Sequence, residues 1–233
     1  MDKMNRPLSE YKAVVFDLDG TLYYQRRLRI KMAWILGTYY LCHFWRIKDL
    51  LIIKKFREVR EHWDEVENEP CDEKDDLESS QYRYLADRMN IPRKRVKDAI
   101  ETWMYEKPLK TVYETRDDAL LGIIGDIKKR GQKVFIFSDY PIEDKLKAIG
   151  LSVDGMYAAT DRRLNELKPS PKGLKLIMED ASLAAEDILM VGDRMSRDGQ
   201  AAENAGCDYI ILPASRYKRK KLYKYLENFK KFV

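Results

Sequence analysis

The chain has 233 residues, 45% of them hydrophobic, enough apolar side chain for a packed domain carrying an insertion. Its formal charge of +5 is local: residues 216–233 hold eight Lys or Arg against the single Glu227, a segment of +7, and the remainder carries −2. Cys42, Cys71 and Cys207 are odd in number and lack metal-ligand spacing, and His43 and His62 belong to no zinc motif, so no structural disulfide is expected. A reducing, cytoplasmic location is expected. The longest uncharged stretch, residues 32–45, is 14 residues long, short of the roughly 20 a spanning helix needs. No stable membrane insertion is expected, and no signal peptide, because cleavage after that stretch would discard Asp17.

In chain order, Ala13-Val14-Val15-Phe16 reads as a buried strand that delivers Asp17 and Asp19 together at its carboxyl end, since residues i and i+2 of a strand share a face. Gly20 then lets the backbone turn and present amides to an anion. Two neighbouring carboxylates repel unless one keeps its proton or a hard cation such as Mg2+ takes their oxygens, so a bound metal is expected. Residues 23–108 read as an insertion of about four helices. Ile52, Phe56, Val59, Trp63 and Val66 recur at helical steps, as do Val96, Ile100 and Trp103 after Pro92, which suits a helix's first turn. Charge in the insertion is split: residues 23–60 carry ten basic and two acidic side chains, residues 61–87 two basic and eleven acidic. Neighbouring helices of opposite sign can neutralise each other, or the basic one can attract an anionic substrate.

From residue 111 onward helices alternate with apolar strands. A helix over residues 116–130, with Thr115 as a cap, precedes the strand 133–137; a helix at 142–149, a strand at 156–159, a helix at 172–179, a strand at 188–191, a helix at 199–205 and a strand at 209–212 follow. Continuous apolar strands alternating with helices predict an α/β core, a Rossmann-like parallel sheet covered by helices on both faces. The domains are therefore expected as residues 1–22 with 109–233 for the core and 23–108 for the helical insertion. Leu222, Leu226, Phe229 and Val233 form one apolar stripe in the basic tail, which reads as a solvated terminal helix or as a polyanion surface.

Ser138 follows the second strand, Lys168 precedes Pro169 and a helix, Asp193 follows Val191-Gly192, and Asp198 lies five residues further on. Taken singly these are a helix cap, a surface lysine, a turn residue and another cap. Taken together they bring an acid pair, a hydroxyl, a cation and two more acids to the carboxyl edge of a parallel sheet, where open sheets bind ligands.

Asp17-Leu18-Asp19-Gly20-Thr21-Leu22, Ser138, Lys168-Pro169 and Gly192-Asp193 with Asp198 resemble the four ordered motifs of the haloacid dehalogenase superfamily of phosphohydrolases, over nearly the whole chain. The insertion straight after the first motif is similar to the helical cap of the phosphoglycolate phosphatase and β-phosphoglucomutase-like branch. The resemblance implies that Asp17 is the nucleophile, forming an aspartyl-phosphate, and that Asp19 is the acid and base. It implies Mg2+ held by the side chains of Asp17 and Asp193 and the backbone carbonyl of Asp19, with Asp198 steadying the shell. Ser138 and Lys168 would act on the transferring phosphoryl group, beside the turn amides of Gly20 and Thr21. Where many relatives carry Asn after the second-motif hydroxyl, this chain has Asp139; its backbone amide can still bind phosphate, while its side chain turns away or meets a basic cap residue. Tyr23, Tyr24 and Arg26 near the hinge either touch the leaving group or pack the hinge. The expected function is a Mg2+-dependent phosphatase acting on a small phosphate ester, with cap closure excluding water and no nucleic-acid partner. Alternatives are a phosphomutase of the β-phosphoglucomutase type, or a non-catalytic protein using its basic tail or the apolar stretch 32–45 on a membrane or partner.

Overall fold

The computed structural model describes residues 3–63 and 76–228. The chain forms two compact units, Met1–Arg27 with Val112–Val233, and Leu28–Thr111. Its strands are β1 (Ala13–Phe16), β2 (Lys133–Ser138), β3 (Gly155–Ala158), β4 (Ile188–Gly192) and β5 (Asp208–Ile211). The helices among the described residues are α1 (Gln25–Cys42), α2 (Lys48–Glu61), α3 (Leu77–Met89), α4 (Arg93–Ile100), α5 (Leu109–Thr115), α6 (Asp118–Lys129), α7 (Glu143–Ile149), α8 (Lys172–Ala181), α9 (Gln200–Ala205) and α10 (Arg216–Asn228).

In the first unit the five strands run parallel in the order β3-β2-β1-β4-β5. Val14 pairs with Val134 on one side and Leu189 on the other, and all three are fully buried. Central strands apolar at every position need cover on both faces, which is why the runs in β1, β2 and β4 do not alternate with polar residues. The chain leaves β1 for β2 and β3 on one side and returns to β4 and β5 on the other, so β1 stands where strand order reverses. Phe16 is level with Ile136 and Val191, and the Asp17 amide still donates to the Val191 carbonyl at 2.8 Å. The residues that follow these three strands therefore leave the sheet along one edge, the position at which open α/β sheets hold their ligands.

In the second unit α2, α3 and α4 pack around Ile52, Phe56, Leu85, Val96 and Ile100, with the Phe56 and Tyr82 rings 5.5 Å apart. A wide π-type turn, Glu101–Glu106, continues α4 and buries Trp103. Val66, Cys71 and most of the acidic run of residues 61–87 lie outside the described residues, as do Phe229 and Val233 of the tail.

Two caps differ from expectation. The Asp117 carboxylate, not Thr115, caps α6 by accepting from Leu120; the Thr115 hydroxyl turns back to the Val112 carbonyl. Pro92 precedes the first turn of α4 as its cap residue. In both cases the chain enters the helix from an extended or irregular residue that sequence periodicity does not register.

The basic helix α10 presents one face to the core, with Arg219, Tyr223 and Leu226 buried at helical spacing. Arg219 is 1% exposed and donates to the carbonyls of Gly20, Thr21 (2.9 Å) and Pro213 (2.8 Å) and to Asp117 Oδ2 (3.2 Å), which also accepts from the Tyr223 hydroxyl. The turn after β1 is thus held from behind by a guanidinium, whose five fixed donors suit converging carbonyls. Replacing Arg219 by Met leaves the buried Asp117 carboxylate without its cation and removes the guanidinium donors from the loop carbonyls. Denaturant unfolding should register a loss of about 3–5 kcal/mol, against less than about 0.5 kcal/mol for exposed Lys220→Met.

Candidate active site

Strand ends place five of the expected residues. β1 runs into Asp17 and Asp19, β2 ends at Ser138 with Asp139 next, and β4 ends at Gly192 with Asp193 next. Gly20 has φ +101°, and a side chain there would overlap the Asp193 carboxylate; a side chain at Gly192 would overlap Asp198. Both glycines are therefore required by close approach of the acids they face.

Lys168 is the centre of the arrangement. Its ammonium, 1% exposed, donates to Asp17 Oδ1 and Asp198 Oδ1, each at 2.6 Å, and to the Phe137 carbonyl at 3.2 Å. Its own amide donates to Asp139 Oδ1 at 2.9 Å, and its carbonyl accepts from Arg197. The peptide bond to Pro169 is cis. Asp198 accepts with its other oxygen from the amides of Asp193 and Arg194, both at 3.0 Å. It caps no helix: α9 begins at Gln200.

These contacts separate the acids electrostatically. Burial alone would raise Asp198, but the Lys168 ammonium and the Arg194 amide hold its carboxyl below the ordinary range. Asp193 is pushed up to about 6 by burial and by the Asp198 charge. Asp17 is raised well above the usual carboxylate value, chiefly by burial; Lys168 opposes this, and Asp198 and Asp193 add to it. Burial would depress Lys168, and the charges of Asp17 and Asp198 more than reverse that.

Asp17, Asp193 and Asp198 each present a carboxylate oxygen within 4.8 Å of the others. Asp17 Oδ2 is buried with no hydrogen-bond partner among the described residues. A buried acceptor without a donor costs roughly 1–3 kcal/mol, more if charged, and a cation removes that cost. The donor set therefore fits a hard divalent ion. Asp17 and Asp193 have the free oxygens to hold it, and Asp198, committed to Lys168 and two amides, orients them.

Asp19 stands apart from this cluster. Lys145 donates to both its oxygens, at 2.6 and 2.8 Å, and the Tyr23 hydroxyl donates to Oδ1. Lys145, from α7, is buried, and neither composition nor motif spacing marks it; the one available signal is its place two residues into the helix that follows β2's carboxyl end. Ser138 does not cap α7, which starts five residues later. Its buried oxygen accepts from the Tyr140 amide at 3.1 Å, leaving the hydroxyl proton free to donate elsewhere. Asp139 turns its side chain away, to the Lys168 amide and to Arg194 at 3.7 Å. Thr21 is fully buried with its hydroxyl oxygen unpartnered, and its carbonyl accepts from Arg219.

The sequence profile of haloacid dehalogenase-like hydrolases matches residues 11–206. A comparison with curated protein sequences found no match. Among solved structures, the putative hydrolase YfnB from Bacillus subtilis, crystallised with magnesium, is similar at 14% identity and TM-score 0.61, covering 94% of this chain and 99% of its own. The 2-haloacid dehalogenase from Pseudomonas syringae is 16% identical with TM-score 0.59, covering 87% and 86%. A haloacid dehalogenase-type phosphatase from Thermococcus onnurineus is 18% identical with TM-score 0.51, covering 86% of each chain. With its motif acids gathered on one edge of a parallel sheet and the profile spanning most of its length, this chain belongs to the haloacid dehalogenase-like hydrolase family.

Proposed function

We propose that this chain is a Mg2+-dependent phosphatase that hydrolyses a small phosphorylated metabolite through an aspartyl-phosphate on Asp17. The helical insertion directly after the nucleophile turn supports placing it in the phosphoglycolate phosphatase and β-phosphoglucomutase-like branch. The observation that carries the reading is the orphaned, buried Oδ2 of Asp17 beside Asp193. Without a cation, Asp17 is held toward its protonated form and is no nucleophile. When bound, magnesium would neutralise that acidic cluster and the phosphoryl oxygens.

The chain's own groups supply the rest. An Asp17 carboxylate oxygen attacks phosphorus as the bond from phosphorus to the ester oxygen breaks, and Asp19 gives its proton to the departing oxygen. Asp19, again a carboxylate, then takes a proton from water. The water oxygen attacks phosphorus, and the bond to Asp17 breaks to release inorganic phosphate. Lys145 and the Tyr23 hydroxyl both donate to Asp19 and fix the orientation of its carboxyl group. Lys168 offsets charge on Asp17 and the transferring group, while Ser138 and the amides at Gly20 and Asp139 donate to phosphoryl oxygens.

Fold neighbours include dehalogenases, so the residues themselves must discriminate. A halide leaves without a proton and a carboxylate can displace it without a cation. That chemistry gives no work to an acid at Asp19 or to an oxygen-only cluster around Asp17. Release of inorganic phosphate from a panel of phosphate esters should require Mg2+, vanish with chelator and vanish in Asp17→Asn; turnover indifferent to both sinks the proposal, and an isomeric product without free phosphate indicates a mutase.

Asp19→Asn should keep Mg2+ binding and lower turnover about 10²–10⁴-fold, the range for a lost acid and base. Calorimetric titrations across pH give a further check. Because Asp193 is pushed up to about 6 and Asp17 is raised as well, protons must leave both before a cation binds, so Mg2+ affinity should fall by about tenfold or more per pH unit as pH drops below that value. An affinity flat from pH 5 to pH 8 contradicts the assigned ligand.

A further inference from the structure

We infer that the helical unit docks on an anionic lipid surface through the outward face of α1 and the turn that follows it. The inference is independent of the phosphatase reading. α1 buries Leu28, Met32 and Tyr40 on one side. On the other, Ile30, Trp34 and Leu41 follow one another at helical spacing and face solvent, with Trp34 74% and Leu41 82% exposed. The chain then turns through Phe44 and Trp45, 71% and 63% exposed, with Ile47 and Leu51 exposed beyond them. A helix that is apolar on two opposite sides has one side too many for a core, and contiguous exposed apolar groups of this size mark an interaction surface.

The turn is built, not loose. The His43 ring stacks on Tyr39 at 4.2 Å, and Trp45 meets His43 edge-on at 5.4 Å. Arg46 and Arg95 both bind the buried Asp49 carboxylate, at 3.1 and 3.2 Å, which fixes the start of α2 behind the aromatic pair. No described helix is long and apolar enough to cross a membrane. The geometry is that of a segment lying in an interface, with Trp and Phe at headgroup depth.

Charge selects the occupant. Residues 28–60 hold eight Lys or Arg against Asp49 and Glu58, a net +6, and the Asp49 carboxylate is already consumed by two arginines. Arg29, Lys48 and Lys54 are exposed next to Ile30, Ile47 and Leu51. Acidic headgroups complement this rim, each basic side chain near such a surface being worth roughly 1 kcal/mol. A second copy of the chain packed on the same face would set one basic rim against another. Nucleic acid would use the rings and cations, but Ile30, Leu41, Ile47 and Leu51 give it nothing to stack on.

Full-length protein should co-sediment with vesicles of phosphatidylcholine mixed with phosphatidylserine, less so as salt rises, and not with phosphatidylcholine alone. Trp63 and Trp103 are buried and Trp34 and Trp45 exposed, so intrinsic fluorescence reports on this face. On binding, emission should shift to the blue and be quenched by lipids brominated in their acyl chains. Trp34→Ala and Trp45→Ala, with folding checked by circular dichroism, should each weaken partitioning about tenfold. Joint replacement of Lys218, Lys220, Lys221 and Lys224 of α10 by Gln should leave the quenching in place. The inference is overturned by absent sedimentation or by unquenched tryptophans in the unaltered protein. It also fails if the replacements abolish self-association or RNA binding in a chain that ignores vesicles.

Discussion

The buried ammonium of Lys168 is the contact on which the site depends. It joins Asp17 after β1, Asp198 before α9 and the Phe137 carbonyl in β2, while its own backbone is held by Asp139 and Arg197. Three segments distant from it in sequence are thereby tied to one atom or its immediate neighbours. Sealing a lysine and three acids from water is costly, and only near-complete pairing makes it tolerable. One buried oxygen of Asp17 keeps no partner among the described residues, and the unmet demand is concentrated there.

That incompleteness distributes the roles among residues that are chemically alike. Asp198 is ionised and spent on structure, Asp193 and Asp17 are raised by burial and available to a cation, and Asp19 sits outside the cluster with a cation of its own in Lys145. Environment, not residue type, separates one carboxylate's task from another's. Asp139 illustrates the same point from the opposite direction: as the free amide or acid its position suggests, it would face a ligand, but Lys168's amide claims it and makes it scaffolding.

The parallel sheet was legible because β1, β2 and β4 are apolar at consecutive positions, a pattern that only double-sided burial explains. The site was legible because Asp17, Ser138 and Asp193 each stand at a strand's end. Lys145 was not: four of the seven residues of α7 are charged, and nothing local distinguishes the one that points at Asp19. Arg219 was hidden in the same way among eight basic residues of the tail, where charge advertises solvent and the stripe of Leu222 and Leu226 was read as purely apolar. The stretch 32–45 was recognised as apolar, yet periodicity states only that apolar faces exist; which of two is covered depends on neighbours distant in the chain.

Arg219 also sets a timetable. It lies outside the profile-matched residues 11–206 and grips carbonyls 198 and 199 positions earlier. As the polypeptide emerges from the ribosome, Asp17 appears early, but the back of its turn has no support until α10 has been translated and has docked. Contacts of such sequence separation form late and slowly. A nascent chain therefore carries all of its motif acids before the residue that braces their turn from behind has been made.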